Sequence, residues 1–429
     1  MRILYNLAFI IFGIVYLPYL IVTRRYKYGM KERLGFLPPK VKAMCAGKKI
    51  IWVHAVSVGE MKAAGILAPL LRKSFPSHRL VFSSVTHTGN KVAVTIATPE
   101  EGVFYLPFDI SFIVDKIVRA IKPEIFISLE TEFWPNLIYS LYRSGARLAL
   151  VNGRISNRSY PRYKRSRFFI SGLLKKFSVI LMQSEQDALR VIALGAEEKK
   201  VFVTGNLKFD IPLLNIDVKR NELRKRLNLN ENEILFIAGS THKGEEDIVM
   251  DCFTRLKKDF NNLRLLIAPR HIERVEEVEK LLINNGLKPA RISCELSSAN
   301  SQQVFILDTI GDLRSMYSAS DIVFVGGSLV KKGGQNPIEP ASLGKPIIFG
   351  KHTFNFRDVI RIFLQNEAGV EVENKEELYS AVRFLLDNPR DRKKLGINAK
   401  EAIIKNSGSS QRTIDLILGE FNPHPNPLP

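Results

Sequence analysis

From residue 49 onward, short apolar runs alternate with longer amphipathic stretches. KIIWVHAVS, RLVFSSVT, GVFYLPFD, EIFISLE, RLALVNG, VILMQS and KVFVTG form a first series. Runs of this length, separated by stretches of helical period, read as strands of a parallel sheet joined by helices. The pattern restarts at ILFIAGS (234–240) and continues through LRLLIAPR, QVFILDT, DIVFVGGS and KPIIFG. Between the series lies the polar stretch NIDVKRNELRKRLNLNENE, the composition expected of a boundary between compact units. The expected fold class is α/β, with two Rossmann-like domains facing each other across a cleft. The expected boundaries are 24–206 for an N-terminal domain and 207–233 for a linker region. A C-terminal domain is expected over 234–405, followed by a helix and a Pro-rich tail over 406–429.

The amino-terminal residues break this pattern. Residues 3–22, ILYNLAFIIFGIVYLPYLIV, contain no charged side chain. At ~1.5 Å per helical residue, such a segment spans the ~30 Å hydrocarbon core of a bilayer. Arg24, Arg25, Lys27, Lys31 and Arg33 follow it, where a cleaved signal peptide would carry small residues. Residues 1–23 are therefore expected to remain as a membrane anchor helix, with the domains inside the cell. A monotopic helix lying in the membrane surface is the alternative, in keeping with Pro18 and with the tyrosines at 5, 16 and 19.

Composition narrows the class. A chain of 429 residues exceeds one ordinary core, and 45% apolar with 25% charged residues argue against both wholesale disorder and a polytopic membrane protein. Three cysteines without a C-x-x-C argue against a disulfide framework or a thiolate zinc site. The net charge is +20, and two clusters, residues 24–49 and 154–176, carry sixteen of those charges. In the second, Arg162, Lys164, Arg165 and Arg167 are interleaved with Tyr160, Tyr163, Phe168 and Phe169. Mixed basic and aromatic residues suit a headgroup interface, and these four cations are candidates for membrane docking. Nucleic acid would attract the same patch, but no zinc-finger spacing, RNP-like motif or long basic helix accompanies it. The hydrophobic amino terminus favours an anionic membrane surface, with no nucleic-acid partner.

Ligands of open α/β sheets bind outside the carboxyl ends of the strands. In the first series those ends carry His54-Ala-Val-Ser57-Val-Gly59-Glu60, Glu130-Thr-Glu132-Phe-Trp134 and Gly205-Asn206-Leu-Lys208. In the second they carry Gly239-Ser240-Thr241-His242, Pro269-Arg270-His271 and Gly326-Gly327-Ser328. Carboxylates gather in the first half and phosphate-type binders in the second. The small-residue turns GSTHKGEED and GGSLVKKGGQNP are expected to expose backbone N–H groups to phosphate, with Arg270, Lys208 and Ser240 supporting the donor phosphate. No Walker A loop, G-x-G-x-x-G, H-E-x-x-H or acidic D-x-D is present, which argues against ATP hydrolysis, nicotinamide or flavin cofactors, zinc hydrolysis and metal-borne nucleotide-sugar chemistry. Neither a cofactor nor a metal is expected.

The motifs HAVSVGE, SLETEFWPN, NGRISNRSY, GNLKFD, GSTHKGEE, APRHIER, DTIGDLRSMYSASDIVFVGGSLV and GGQNPIEPASLGKPIIFGKHTFNF resemble, in that order, the Kdo (3-deoxy-D-manno-octulosonic acid) transferase family of lipopolysaccharide inner-core synthesis. The resemblance runs from about residue 25 to residue 405. It implies a GT-B type glycosyltransferase that transfers Kdo from a CMP-Kdo donor to a lipid A precursor, inverting the anomeric centre without a metal. By the same resemblance the general base falls on Glu60 and a second essential carboxylate on Glu130. The CMP contacts fall on Pro269 and Arg270, on Gly311, Asp312 and Leu313, and on Asn336, Pro337, Ile338 and Glu339. The family usually has Gly-Gly-His-Asn-Pro where this chain has Gln335, so proton transfer at that position is in doubt, although Gln can still donate a hydrogen bond.

Read from the residues alone, Glu60 is either a base or a helix-capping acid. Glu130 and Glu132, two apart on what reads as an extended segment, share a face, and one of them could simply pair with an Arg. Trp134 and His54 read as packing residues, and Glu339 as a ribose ligand or a capping acid. Two other functions stay open. One is a different nucleotide-sugar enzyme, such as an N-acetylglucosaminyltransferase or a 2-epimerase; the other is a non-catalytic membrane protein that binds anionic glycolipid.

Overall fold

The computed structural model describes residues 5–7, 9, 11, 28–211, 216–294 and 303–421. The chain forms two compact units, residues 1–210 with 407–429 and residues 211–406. The first holds β1 (Lys49–His54), β2 (His78–Ser84), β3 (Gly102–Tyr105), β4 (Ile125–Leu129), β5 (Arg147–Gly153), β6 (Val179–Met182) and β7 (Val201–Val203). They lie in the order β3-β2-β1-β4-β5-β6-β7, all parallel. The central strands are apolar throughout because helices cover both faces of the sheet, and every residue of β4 and β6 is buried. Trp52, Phe104 and Phe126 pack on one face, and Ile51, Val53, Leu67 and Phe82 on the other.

The second unit holds β8 (Ile234–Thr241), β9 (Leu263–Pro269), β10 (Pro289–Arg291), β11 (Val304–Ile306), β12 (Ile322–Val325), β13 (Ile347–Gly350) and β14 (Val370–Val372), in the parallel order β10-β11-β9-β8-β12-β13-β14. Every run named in the sequence is a strand. The edge strands β10 and β14 are additional, since Pro-Ala-Arg and Val-Glu-Val offer little apolar signal.

The polar stretch after residue 215 is not a free linker. It contains the helix Ile216–Arg226, and Asp321 of the second unit accepts from Arg220 at 2.9 Å and from Arg224 at 3.1 Å. At the other end the chain crosses back: the helix Ser409–Phe421 packs Ile414, Ile417 and Phe421 into the first unit. Asp210 fixes this return, its carboxylate accepting from the N–H groups of Gly408 at 2.7 Å, Ser409 at 3.3 Å and Ser410 at 2.5 Å. An acid at the start of a helix satisfies amides that have no partner within the helix.

Among the described residues no helix is long and apolar enough to cross a membrane. The expected anchor, residues 1–23, lies outside the described residues except for Tyr5–Leu7, Phe9 and Ile11, which are helical. Asn6 ties this turn to the first unit: its side-chain amide N–H donates to Ser111 Oγ at 2.8 Å, and its Oδ1 accepts from Asn136 Nδ2 at 2.7 Å. The Pro-rich tail, 422–429, is likewise outside the described residues.

Candidate functional site

Strand order reverses between β1 and β4 in the first sheet and between β8 and β12 in the second, and such switch points open a crevice at the carboxyl ends of the strands. The candidate residues fall at both.

In the first unit, Ser57 caps the helix Val58–Ser74 and Glu60 stands in its first turn, only 7% exposed. The Val56 N–H donates to Glu60 Oε2 at 2.7 Å, and the Ser57 hydroxyl to Oε1 at 2.7 Å. The capping geometry is thus present, and it aims a desolvated carboxylate at the β1/β4 crevice.

Glu130, just past β4, is not on extended backbone: its φ is +56°, the left-handed region that a non-glycine residue occupies at a cost of about 1–2 kcal/mol. Its N–H donates to the Val151 carbonyl at 2.8 Å, so the β4–β5 ladder enforces the turn. Thr131 ties the loop to the next strand end by accepting from the Arg154 N–H at 2.9 Å. Strain of this kind clusters where a side chain must be aimed.

The turn brings Glu132 into the carboxylate group. Burial, with the neighbouring charges of Glu60 and Glu130, pushes its pKa up to about 7. Tyr163 is raised by burial and then by Glu132, which places the aromatic and basic helix Tyr160–Arg165 at the rim of this acidic crevice. Below it His54 is fully buried, its Nδ1 2.9 Å from Ser83 Oγ, and burial lowers its pKa to about 4. It packs as a neutral ring. The sequence had flagged Glu132 through its E-x-E spacing without choosing between pairing and chemistry.

In the second unit a pocket of about 290 Å³ is lined by Ser240, Pro269, Arg270, Thr309, Gly311 and Leu313, among others. Five of the candidate residues therefore meet in one concavity, and Asp312 sits beside it, accepting from the Thr309 hydroxyl at 2.6 Å. Ser240, at φ +56°, marks a register shift in β8 that turns it out of the ladder. Gly311, at φ +97°, has open space where a Cβ would be. Asn336 donates to Glu339 Oε1 at 3.0 Å and accepts from the Ile338 N–H at 3.1 Å, so this triad forms one turn with Pro337 ahead of Ile338–Ser342. Glu339 also raises the buried Tyr317 phenol, secondary to burial, and Tyr317 lies against Gly239 at the end of β8. Lys208 belongs to the first unit, on the turn Leu207–Phe209.

One expectation is overturned. The amides of the Gly-Gly-Ser turn are not open to phosphate, because the fully buried Glu245 fills the nest. It accepts from the N–H groups of Gly327 (2.6 Å), Ser328 (3.0 Å), Leu329 (3.0 Å) and His242 (2.9 Å). Burial raises its pKa against the pull of these four donors. The sequence could not show this, since an acid in a first helical turn is ordinary. An anionic ligand on this side therefore finds these four amides already occupied. Among the described residues no group of three or more His, Cys, Asp or Glu could hold a metal ion.

The amino-terminal half, residues 28–211, matches the family model described as 3-deoxy-D-manno-octulosonic-acid transferase (kdotransferase). Residues 219–402 match that of glycosyl transferases group 1. A 3-deoxy-D-manno-octulosonic acid transferase of Haemophilus influenzae is 35% identical over 396 residues, which cover 92% of this chain and 91% of that one. The chain belongs to the Kdo transferase family. A bifunctional glycosyltransferase/methyltransferase of Fusobacterium nucleatum is 39% identical over 79% of this chain, which spans only 53% of that longer protein. The two-unit fold is shared with a glycosyltransferase from Rickettsia africae, at TM-score 0.56 and 16% identity over 88% of this chain and 99% of that one. Within this Kdo transferase family member, the four surface cations Arg162, Lys164, Arg165 and Arg167 are all exposed.

Proposed function

We propose that this glycosyltransferase transfers Kdo from CMP-Kdo to a lipid A precursor in lipopolysaccharide synthesis, with inversion and without a metal, through a GT-B type arrangement of its two units. The observation that carries the reading is the gathering of Glu60, Glu130 and Glu132 at one switch point in a chain of this family. The acceptor hydroxyl attacks the anomeric carbon of Kdo, its proton passes to Glu60, and the bond to CMP breaks with the electron pair leaving on the phosphate oxygen. Arg270 is the cation placed to stabilise that charge, and Ser240 lies across the same pocket. Asn336 and Glu339 suit a ribose, through an amide and a carboxylate already oriented by each other. Burial, and after it the charges of Glu60 and Glu130, raises the pKa of Glu132, so Glu132 suits holding a proton in the crevice while Glu60 is the proposed base.

The proposed setting is the cytoplasmic face of the inner membrane, held by residues 1–23 and by the basic patch. Phe168 beside that patch is 83% exposed, and Tyr5, from the hydrophobic amino terminus, stacks on Phe169 at 6.4 Å. An acceptor with a lipid body and an anionic headgroup suits a crevice whose rim is basic and aromatic. The decisive experiment is mass spectrometry of the product formed from CMP-Kdo and a tetraacylated lipid A precursor. A product heavier by one or more Kdo residues, with release of CMP, is expected. Its absence, with the precursor recovered unchanged, would refute the proposal.

A further inference from the structure

Glu245 removes the backbone amides of the Gly327–Leu329 turn from ligand binding, yet the side chains around that turn are rich in positive charge. His242 and His271 pack edge to face with ring centroids 5.6 Å apart. Gln335 Nε2 lies 3.1 Å from His242 Nε2, and a Cβ on Gly327 would come within 3.2 Å of both side chains. Two ladder-like bonds hold the Lys332–Gln335 loop against the turn, from Gly334 N–H to the Gly327 carbonyl at 2.8 Å and from Gln335 N–H to the Gly326 carbonyl at 2.9 Å. His242 is held down at about 4 by burial and then by His271, Lys332, Arg270 and Arg274, so the ring is neutral beside three permanent cations.

Those cations are not equivalent. Arg274 is neutralised within the chain, by Glu246 at 2.7 Å and Glu277 at 3.2 Å. Neither Arg270 nor Lys332 has a carboxylate partner in ion-pairing range among the described residues, and Lys332 is exposed. Arg270 lines the pocket with Ser240, while Lys332 sits on the loop that carries Gln335. With the amide N–H of Gln335 donating to Nε2, the proton of His242 resides on Nδ1, which is left as a neutral donor.

We infer that Lys332, Gln335 and His242 form a second anion subsite, separate from the phosphate subsite at Arg270, that takes the carboxylate of the transferred sugar acid. The inference rests on the proposed donor, which carries one negative charge on its phosphodiester and another on its carboxylate and so matches two separated cations. It also accounts for Gln335 at a position where the family usually has His. A second imidazole would add another titrating group beside His242, whereas the amide keeps His242 in one tautomer at every working pH.

The test uses the full-length protein with Lys332→Met and Gln335→Leu, reading the KM for CMP-Kdo in transfer and the inhibition constant of CMP, which lacks the carboxylate. Lys332→Met is expected to raise the KM about tenfold or more, the factor for loss of a charge-assisted hydrogen bond, with kcat and the CMP constant little changed. Gln335→Leu is expected to raise the KM less, because the subsite loses an amide donor and the bond that orients the His242 ring. A parallel rise in the CMP constant would assign Lys332 to the nucleotide and overturn the inference, as would an unchanged KM in both variants. Absence of transfer by the wild-type protein is a different failure, which removes the donor itself.

Discussion

The N–H of Gly327 donates to Oε2 of Glu245 at 2.6 Å, joining the end of β12 to the first turn of the helix Glu245–Leu256. Three further amides converge on the same carboxylate, so one buried side chain shapes the whole turn. Glu245→Ala should leave four backbone donors without their acceptor, two of them buried and two part-buried, and destabilise the second unit by roughly 2–4 kcal/mol. Hydrogen exchange at Gly327, Ser328 and Leu329 is the direct measurement. Amide protection equal to that of the wild type would show that the carboxylate does not hold the turn.

Glu132 carries a stability cost with a definite pH sign. Glu132 titrates near 7 when folded and near 4.5 as an ordinary glutamate, so the folded state holds its proton more tightly. The folded state is therefore not penalised below pH 4.5, and stability falls as pH rises from about 4.5 to 7. Glu132→Gln removes the ionisation and should stabilise the protein at pH 8, on the order of 2 kcal/mol, with little effect at pH 4.5. Thermal melts at the two pH values compare directly. A variant that is equally destabilised at both would mean that Glu132 is held as an ion by partners in the fold.

In the proposed mechanism, chemistry and donor binding separate by unit. Glu60→Gln keeps an acceptor oxygen for the Val56 amide, so the helix start should survive. Turnover is expected to fall ~10²-fold or more, the usual size of a general-base contribution, with CMP affinity unchanged. Near-normal transfer by the folded variant would remove Glu60 from the mechanism.

Arg270→Ala should act on the nucleotide alone. It is expected to weaken CMP binding by roughly 1.5–3 kcal/mol, the loss of a hydrogen bond to a charged group, as read by calorimetry. Since Arg270 has no carboxylate partner among the described residues, its removal should cost little stability. Unchanged CMP affinity would contradict its placement at the phosphate.

The parts of the site that were legible in the sequence are those fixed by strand ends. Glu60, Glu130, Ser240 and Arg270 each stand at or just past the end of an apolar run whose length and β-branched content mark it as a parallel strand, and the carboxyl ends of such strands are where ligands bind. What stayed hidden depends on contacts across the sheet. Glu130 takes a left-handed conformation that its residue type rarely adopts, because the Val151 carbonyl holds its amide, and nothing local in Leu-Glu-Thr-Glu encodes that. Glu245 reads as a first-turn acid until β12 brings its amides eighty residues along the chain. The helix Ser409–Phe421 was legible as a helix, but its return to the first unit was not, since the acid that fixes it, Asp210, lies about two hundred residues earlier in the chain.

The basic patch gives the last prediction, because in the proposed setting it would join the membrane to the site. Arg162, Lys164, Arg165 and Arg167 are exposed on two short helices, and Tyr163 between them feels the charge of Glu132. On the same surface, Tyr5 and Phe169 line an apolar pocket of about 150 Å³ with Pro135 and Tyr139. A surface of this kind both attracts anionic headgroups and accepts an acyl or interfacial group, so docking and acceptor presentation would be one event. At about 1 kcal/mol per basic residue near an anionic leaflet, a few of these side chains would hold the protein on vesicles without residues 1–23. Such binding should fall steeply as ionic strength rises and the Debye length shortens below ~10 Å. Replacing the four cations by Ser should abolish flotation of the anchor-deleted protein with phosphatidylglycerol vesicles. In the full-length protein the same changes should raise the apparent KM for the lipid acceptor and leave CMP affinity intact, because Arg270 and its pocket lie on the other unit. Equal flotation with and without the four changes across a salt series would leave the hydrophobic segment as the sole anchor and assign the patch to solvent.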